Sequence, residues 1–316
     1  MIAAIPSPPF NSIGPLTIYG LLIALGVFAA VSLGQKRWVA RGGHEDDVSS
    51  IAIWAVPAGI VGARLYHVIT DFQRFVDEPW WRVFALREGG LGIPGGIAFG
   101  LLAGIFVAKR RGLNIGAVVD AVIPGLPLAQ AIGRVGNWFN QELYGRPTDL
   151  PWALEIDADH RGSIPEEFQS VEAFPTFHPT FLYEGLWNIG LVGFMLFVDR
   201  KGWLPRGRLV SIYFIGYGIG RAWVEALRID AANEIFGLRI NLWMSLGLVI
   251  AGLIILAWPK KATAVQDAVD APETPKVDDV KDLNGTADTA DTGDVDELDN
   301  ADDADELASV NDVEAT

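Results

Sequence analysis

The chain contains no cysteine. That absence excludes disulfides, a thiolate nucleophile of its own and any Cys-ligated metal. There is also no Gly-x-Ser-x-Gly elbow, no phosphate-binding glycine loop and no His/Asp/Glu grouping with metal-ligand spacing. Intramembrane metalloprotease and serine-protease chemistry therefore lack their reactive groups. No lysine or arginine precedes the first apolar run, whereas a cleaved secretory signal carries its positive charge in front. No internal repeat of the kind found in many transporters is visible. Beyond Lys261 aromatic residues vanish and Asp, Ala, Thr, Val and Pro dominate. Such a segment cannot bury enough apolar surface to offset its ordering entropy, so disorder is expected there.

What is present is apolar. Half of the 316 residues are hydrophobic and the mean hydropathy is +0.28, yet the net charge is −15. The charge sits at one end. From Pro259 onward there are 18 acidic residues and 4 lysines, which leaves 20 basic and 21 acidic residues for the rest of the chain. The acidity therefore describes a tail and not the body. Apolar runs near 16–34, 50–70, 91–108, 117–132, 180–198, 209–227 and 242–258 approach the length that crosses a hydrocarbon core of about 30 Å. Basic clusters follow the first, third, fifth and seventh runs: Lys36, Arg37 and Arg41; Lys109 to Arg111; Arg200, Lys201, Arg206 and Arg208; Lys260 and Lys261. Seven spans put all four clusters on one side, which the positive-inside rule makes cytoplasmic.

The expectation is an all-α integral membrane protein of seven transmembrane helices over 1–260, with its N-terminus out and C-terminus in. A small extracytoplasmic arm over 145–178, with short strands near 152–156, and a disordered acidic tail over 261–316 complete it.

Polar residues concentrate where they are costly. Gly133 to Gly145 follows the fourth run and holds Arg134, Asn137, Asn140 and Glu142. Charge at the edge of hydrocarbon needs a partner, water or a polar ligand. Arg134 could meet bulk lipid phosphates while Glu142 pairs with Arg146, or it could grip a substrate. In the sixth run Tyr217, Arg221, Glu225 and Arg228 recur at helical spacing, as one stripe. They could pair among themselves. Two guanidinium forks near one membrane surface would also suit a phosphate, which each can hold bidentately. Tyr19 reads either as an interfacial anchor or as part of this site. Arg64 and His67 share a face of the second run, with a carboxylate expected as the partner of Arg64. Pro179 suits the first turn of the fifth helix. A membrane lipid or anion transporter without chemistry is the alternative class.

The pattern Gly133-Arg134-x-Gly136-Asn137-x-x-Asn140-x-Glu142-x-x-Gly145 resembles the signature of the prolipoprotein diacylglyceryl transferase family. The likeness extends to Tyr19-Gly20, Glu88-Gly89-Gly90, Pro94-Gly95-Gly96, His178-Pro179-Thr180 with Tyr183-Glu184, and Tyr217 with Arg221, Glu225 and Arg228. It covers residues from about 10 to 258. Trp138 stands where the family usually has Phe. Pro94 stands where many members carry a histidine considered as a general base, so that base cannot be carried over. The resemblance implies a transferase of the bacterial inner (plasma) membrane with its active site outside and no cofactor, metal or nucleic acid. It would move the diacylglyceryl group of phosphatidylglycerol onto the lipobox cysteine of prolipoprotein signal peptides, making a thioether and releasing glycerol phosphate. Arg134, Asn137, Glu142 and Arg221 are then the expected catalytic residues. Arg134 also binds substrate, together with Tyr19, Asn140, Gly145, Tyr217, Glu225 and Arg228.

Overall fold

The computed structural model describes residues 4–76, 78–85, 90 and 92–259. The expected tail over 261–316 and the Glu88-Gly89 pair lie outside the described residues. Apolar runs become helices because a helix satisfies its own backbone polar groups where water is absent. They are α1 (Ile18–Val39), α2 (Asp47–Thr70), α3 (Ile93–Arg110), α4 (Ile115–Val122), α5 (Gly125–Phe139), α6 (Thr180–Arg200), α7 (Leu209–Leu227) and α8 (Ile240–Ala257). Among the described residues, six stretches are long and apolar enough to cross a membrane: α1, α2, α3, α4 with α5 counted as one, α6 and α8. The chain is thus a multi-pass membrane protein. Helix α7 has 19 residues; its Arg221 and Glu225 keep it out of that set.

The fourth run's boundaries shift, while the sixth run keeps its expected bounds and loses only the last member of its stripe. The fourth run divides at Pro124, which precedes α5. Helix α5 then continues past the apolar stretch to Phe139, so Arg134 and Asn137 ride on its last turns. Helix α7 stops at Leu227, and Arg228 has extended backbone angles. It therefore leaves the expected stripe just where the chain turns. Pro179 is the residue before the first turn of α6 and not within it. Pro94 does sit in the first turn of α3, where a missing N–H costs nothing.

Helices α2 and α3, α7 and α8, and α1 and α5 pack most extensively, and α5, α6 and α7 stand side by side. Gly62 and Gly95 face each other so closely that a Cβ on either would strike the other's backbone oxygen. This is the small-residue contact typical of membrane helices.

Helices α1, α6 and α8 begin at the end of the bundle where α5 and α7 finish, and the arm folds there. Strand β1 (Leu154–Glu155), within the stretch expected to form strands, pairs antiparallel with β2 (Thr176–Phe177). Tyr144, Leu154, Ile156, Ile164 and Phe177 form the arm's own core. Arg161, 1% exposed, donates to the carbonyls of Ile156, Ser170 and Phe174 and lies 4.9 Å from the Phe177 ring centre. A backbone clasp joins the arm to the helices. Gly145 N–H donates to the His178 carbonyl and Arg146 N–H to that of Leu227, both at 2.9 Å.

Candidate functional site

Four arginines and three carboxylates meet at that end of the bundle. Arg134 on α5 reaches Glu184 Oε1 on α6 with its Nη2 at 2.7 Å. Arg221 on α7 reaches Glu184 Oε2 with Nη1 at 3.3 Å and Glu225 Oε2 with Nη2 at 2.7 Å. One carboxylate, 3% exposed, thus bridges the two guanidiniums that sequence reasoning had expected to converge. Glu184 stood in the family pattern but had no assigned role. Its position four residues into α6, at the apolar edge, was the available signal.

Glu225 is fully buried and also accepts from Arg239 Nε at 2.6 Å and Asn241 Nδ2 at 3.1 Å. Its pairing with Arg228, expected as the supporting ion pair, is long at 3.5 Å. Arg228 instead holds Asp230 through two bonds of 2.7 Å, and Arg239 closes the ring to Asp230 at 3.3 Å. Burial pushes the Asp230 carboxyl up, but Arg228 and Arg239 outweigh it and hold it below the usual carboxylate range. Arg239, Asp230 and Asn241 were not read as site residues. Asp230 and Arg239 lie in the turn before α8 and Asn241 in its first turn, where composition resembles any polar loop.

The signature stretch folds around its own amides. Arg134 Nη1 donates to Asn137 Oδ1 at 3.2 Å, and both Asn137 and Asn140 donate to Glu142 Oε1 at 2.8 and 3.1 Å. Glu142 therefore serves the asparagines and not Arg146, the alternative partner. The turn after α5 places Gln141 at φ 48° and Leu143 at φ 62°, left-handed angles that cost roughly 1–3 kcal/mol each for such residues. Surrounding bonds retain them. Gln141 Nε2 donates to the Asp157 carboxylate at 2.7 Å and its Oε1 accepts from the Asp157 backbone N–H at 2.8 Å, and the Thr180 hydroxyl donates to the Leu143 carbonyl.

The Tyr217 ring stacks on that of Tyr213 at 5.5 Å. Tyr19 lies against Gly136 so tightly that a Cβ there would enter its ring. Gly145 stands in the clasp, where a Cβ would lie 2.8 Å from that of His178 and 3.1 Å from the Leu227 oxygen. Burial pushes the His178 imidazole below its ordinary pKa, and its Nδ1 meets the Tyr183 hydroxyl at 3.0 Å. Elsewhere, Arg64 donates to the carbonyls of Val83, Arg82 and Gly90, and His67 pairs with Asp71 at 2.8 Å. Among the described residues no group of three His, Cys, Asp or Glu could hold a metal ion.

Two partly buried guanidiniums sharing one carboxylate at the edge of an apolar bundle have the chemistry to hold an oxyanion. A family model described as prolipoprotein diacylglyceryl transferase matches residues 8–258. The chain belongs to the prolipoprotein diacylglyceryl transferase family. Phosphatidylglycerol–prolipoprotein diacylglyceryl transferase 1 of Streptomyces coelicolor is 47% identical over 274 residues, covering 85% of this chain and 77% of that protein. The corresponding transferase of Streptomyces griseus is 48% identical over 259 residues, covering 80% and 77%. That of Corynebacterium efficiens is 44% identical over 279 residues, covering 85% and 87%. In this member of the family the arginine pair, the asparagine–glutamate turn and the Glu225 ring form one connected network.

Proposed function

We propose that the protein transfers the diacylglyceryl group of phosphatidylglycerol to the lipobox cysteine thiol of prolipoproteins, the first step of lipoprotein maturation. The observation that carries this reading is the convergence of Arg134 and Arg221 on the two oxygens of Glu184. The lipid phosphodiester likewise presents two anionic oxygens, and the guanidinium pair, held in place by Glu184, offers it its remaining N–H groups. Charge grows on the phosphate as its bond to the diacylglyceryl carbon breaks, and fixed guanidiniums stabilise that growth without reorganising. The cysteine sulfur attacks that carbon, forming the thioether, and glycerol phosphate leaves. Only the thiolate is nucleophilic, and an ordinary thiol is already a few per cent ionised near neutrality. The cationic site favours that form.

In this reading Asn137, Asn140 and Glu142 orient Arg134 and the headgroup. Glu225, Arg228 and Arg239 hold Arg221 from behind, and Tyr19 and Tyr217 flank the seat. Helix α7 completes seven spans, its charges turned inward, with the N-terminus outside and the C-terminus in the cytoplasm. The basic clusters support that orientation, which puts the site on the outer side of the bacterial plasma membrane.

The test is direct. Purified protein is mixed with phosphatidylglycerol and a peptide carrying a lipobox cysteine, and the thioether product is read by mass. Arg134→Ala and Arg221→Ala are expected to yield no product while folding and accumulating normally. Normal transfer by either would sink the phosphate assignment. Lipid binding or flux without product in the unaltered protein would favour a transporter.

A further inference from the structure

Polar side chains continue inward from the arginine pair, one stripe on each of three helices. On α6 the buried positions Glu184, Asn188, Leu191, Met195 and Val198 recur at helical spacing and share one face. Glu184 joins α5 and α7 through Arg134 and Arg221, and Leu191 belongs to the same apolar cluster as Tyr213 of α7. Asn188 lies between them on that face, so its side chain is directed to where α5, α6 and α7 meet. On α5 Gln130 stands one turn inward from Arg134, and its Nε2 donates to the Tyr213 hydroxyl at 2.9 Å. The Tyr213 ring stacks on Tyr217, which is one turn inward from Arg221.

The hydrogen bonds of this inner layer are incomplete. Asn188 is 0% exposed, yet neither atom of its amide has a partner, and the Gln130 oxygen is likewise buried and unpaired. The asparagines of the signature turn are, by contrast, both paired. A buried amide without partners is costly, and packing alone does not offset it. Hydroxyl groups are the chemistry that such a layer accepts. An amide offers donor and acceptor side by side, and each hydroxyl both gives and takes a hydrogen bond. Two adjacent hydroxyls can serve both atoms of Asn188 and the Gln130 oxygen together. An ammonium headgroup has donors only and leaves the Asn188 N–H groups unpaired. The reach also fits. A three-carbon polyol on a phosphate held by Arg134 and Arg221 extends about one helical turn inward, roughly 5.4 Å.

We infer that Gln130 and Asn188 bind the hydroxyls of the donor lipid's glycerol headgroup and so select a polyol over a headgroup without hydroxyls. The inference rests on the transferase reading above. It adds to the phosphate seat a layer of uncharged amides that reads the headgroup.

Asn188→Leu tests it, since leucine matches the side chain in size and offers no hydrogen bond. The full-length protein is assayed in detergent with a lipobox peptide and either phosphatidylglycerol or phosphatidylpropanol carrying the same acyl chains. The second lipid keeps the phosphodiester and the three carbons but has no headgroup hydroxyl. The unaltered protein is expected to favour phosphatidylglycerol in kcat/KM by at least about a hundredfold, because the analogue leaves the buried amides unpaired. In Asn188→Leu that preference falls about tenfold, with only Gln130 still bonding the headgroup. Thermal unfolding of the lipid-free variant is expected at or above the unaltered midpoint, because leucine removes an unpaired buried amide. An unchanged preference in the variant overturns the inference and leaves the amide holding water only. Equal turnover of the two lipids by the unaltered protein overturns it as well. A lowered midpoint with both lipids losing turnover alike marks Asn188 as structural and also overturns it. If Asn188→Leu does not accumulate, Asn188→Ala takes its place and is judged by the same preference. Absence of product from the unaltered protein on both lipids defeats the transferase reading itself, and the inference with it.

Discussion

Glu184 is the residue on which the arrangement of the site turns. It holds Arg134 and Arg221 face to face, and without it two like charges would stand beside each other with no shared anion. Replacing it by glutamine keeps its size and removes the charge. Glu184→Gln is expected to lower kcat/KM for transfer by about a hundredfold, since displacement of catalytic groups by an ångström costs that much. Protein level and helical content should not change. Unaltered kinetics would mean the guanidiniums are placed by Glu225 and the asparagines alone. The arginines themselves were legible in the sequence, because a guanidinium inside an apolar helix demands an explanation wherever it occurs. Their shared partner was less so. A glutamate four residues into a helix is common, and only packing of α5, α6 and α7 singles this one out. Arg64 teaches the same lesson from the other side. Its burial was predictable, whereas its use of the Arg82, Val83 and Gly90 carbonyls depends on a 3₁₀ turn that no periodicity announces.

Among the elements, the arm is the one whose stability rests on few interactions. Its core is small, and Arg161 stands in place of a larger one by tying three backbone carbonyls together under the Phe177 ring. Arg161→Ala leaves those carbonyls buried and unpaired, at about 1–3 kcal/mol each. The arm should then open. Limited proteolysis should cut the variant within 145–178 under conditions where the unaltered protein resists, and transfer should fall because the strained turn at Gln141 and Leu143 loses its support. Resistance equal to that of the unaltered protein would show that the arm's hydrophobic core suffices. The arm's first strand fell within the stretch expected near 152–156, whereas its partner at Thr176–Phe177 was not legible, because strand pairing joins residues far apart in the chain. The break at Pro124 and the extension of α5 through Asn137 were not legible either, because helix propensity continues across a polar boundary whenever a neighbouring helix supplies partners.

For the molecule as a whole, the family match ends at residue 258, and the acidic excess lies beyond it. A chain ending at Pro259 is expected to keep transfer activity within about twofold, given that the family match is complete by residue 258. A larger loss, measured with the same lipid and peptide, would assign the tail a part in turnover. Membrane character follows from the sequence alone, since the transfer of each side chain from water to hydrocarbon depends on its own chemistry. So does the family, carried by a run of fixed polar positions between Gly133 and Gly145. What only the tertiary structure decided is pairing. Arg134 and Arg221 share Glu184, Glu225 is held chiefly by Arg221 and Arg239, and Gly145 is locked in a clasp instead of standing free. Each of these joins residues far apart in the chain. Ion pairs and hydrogen bonds depend on distance and angle in space, and only the packing of helices brings those groups within reach.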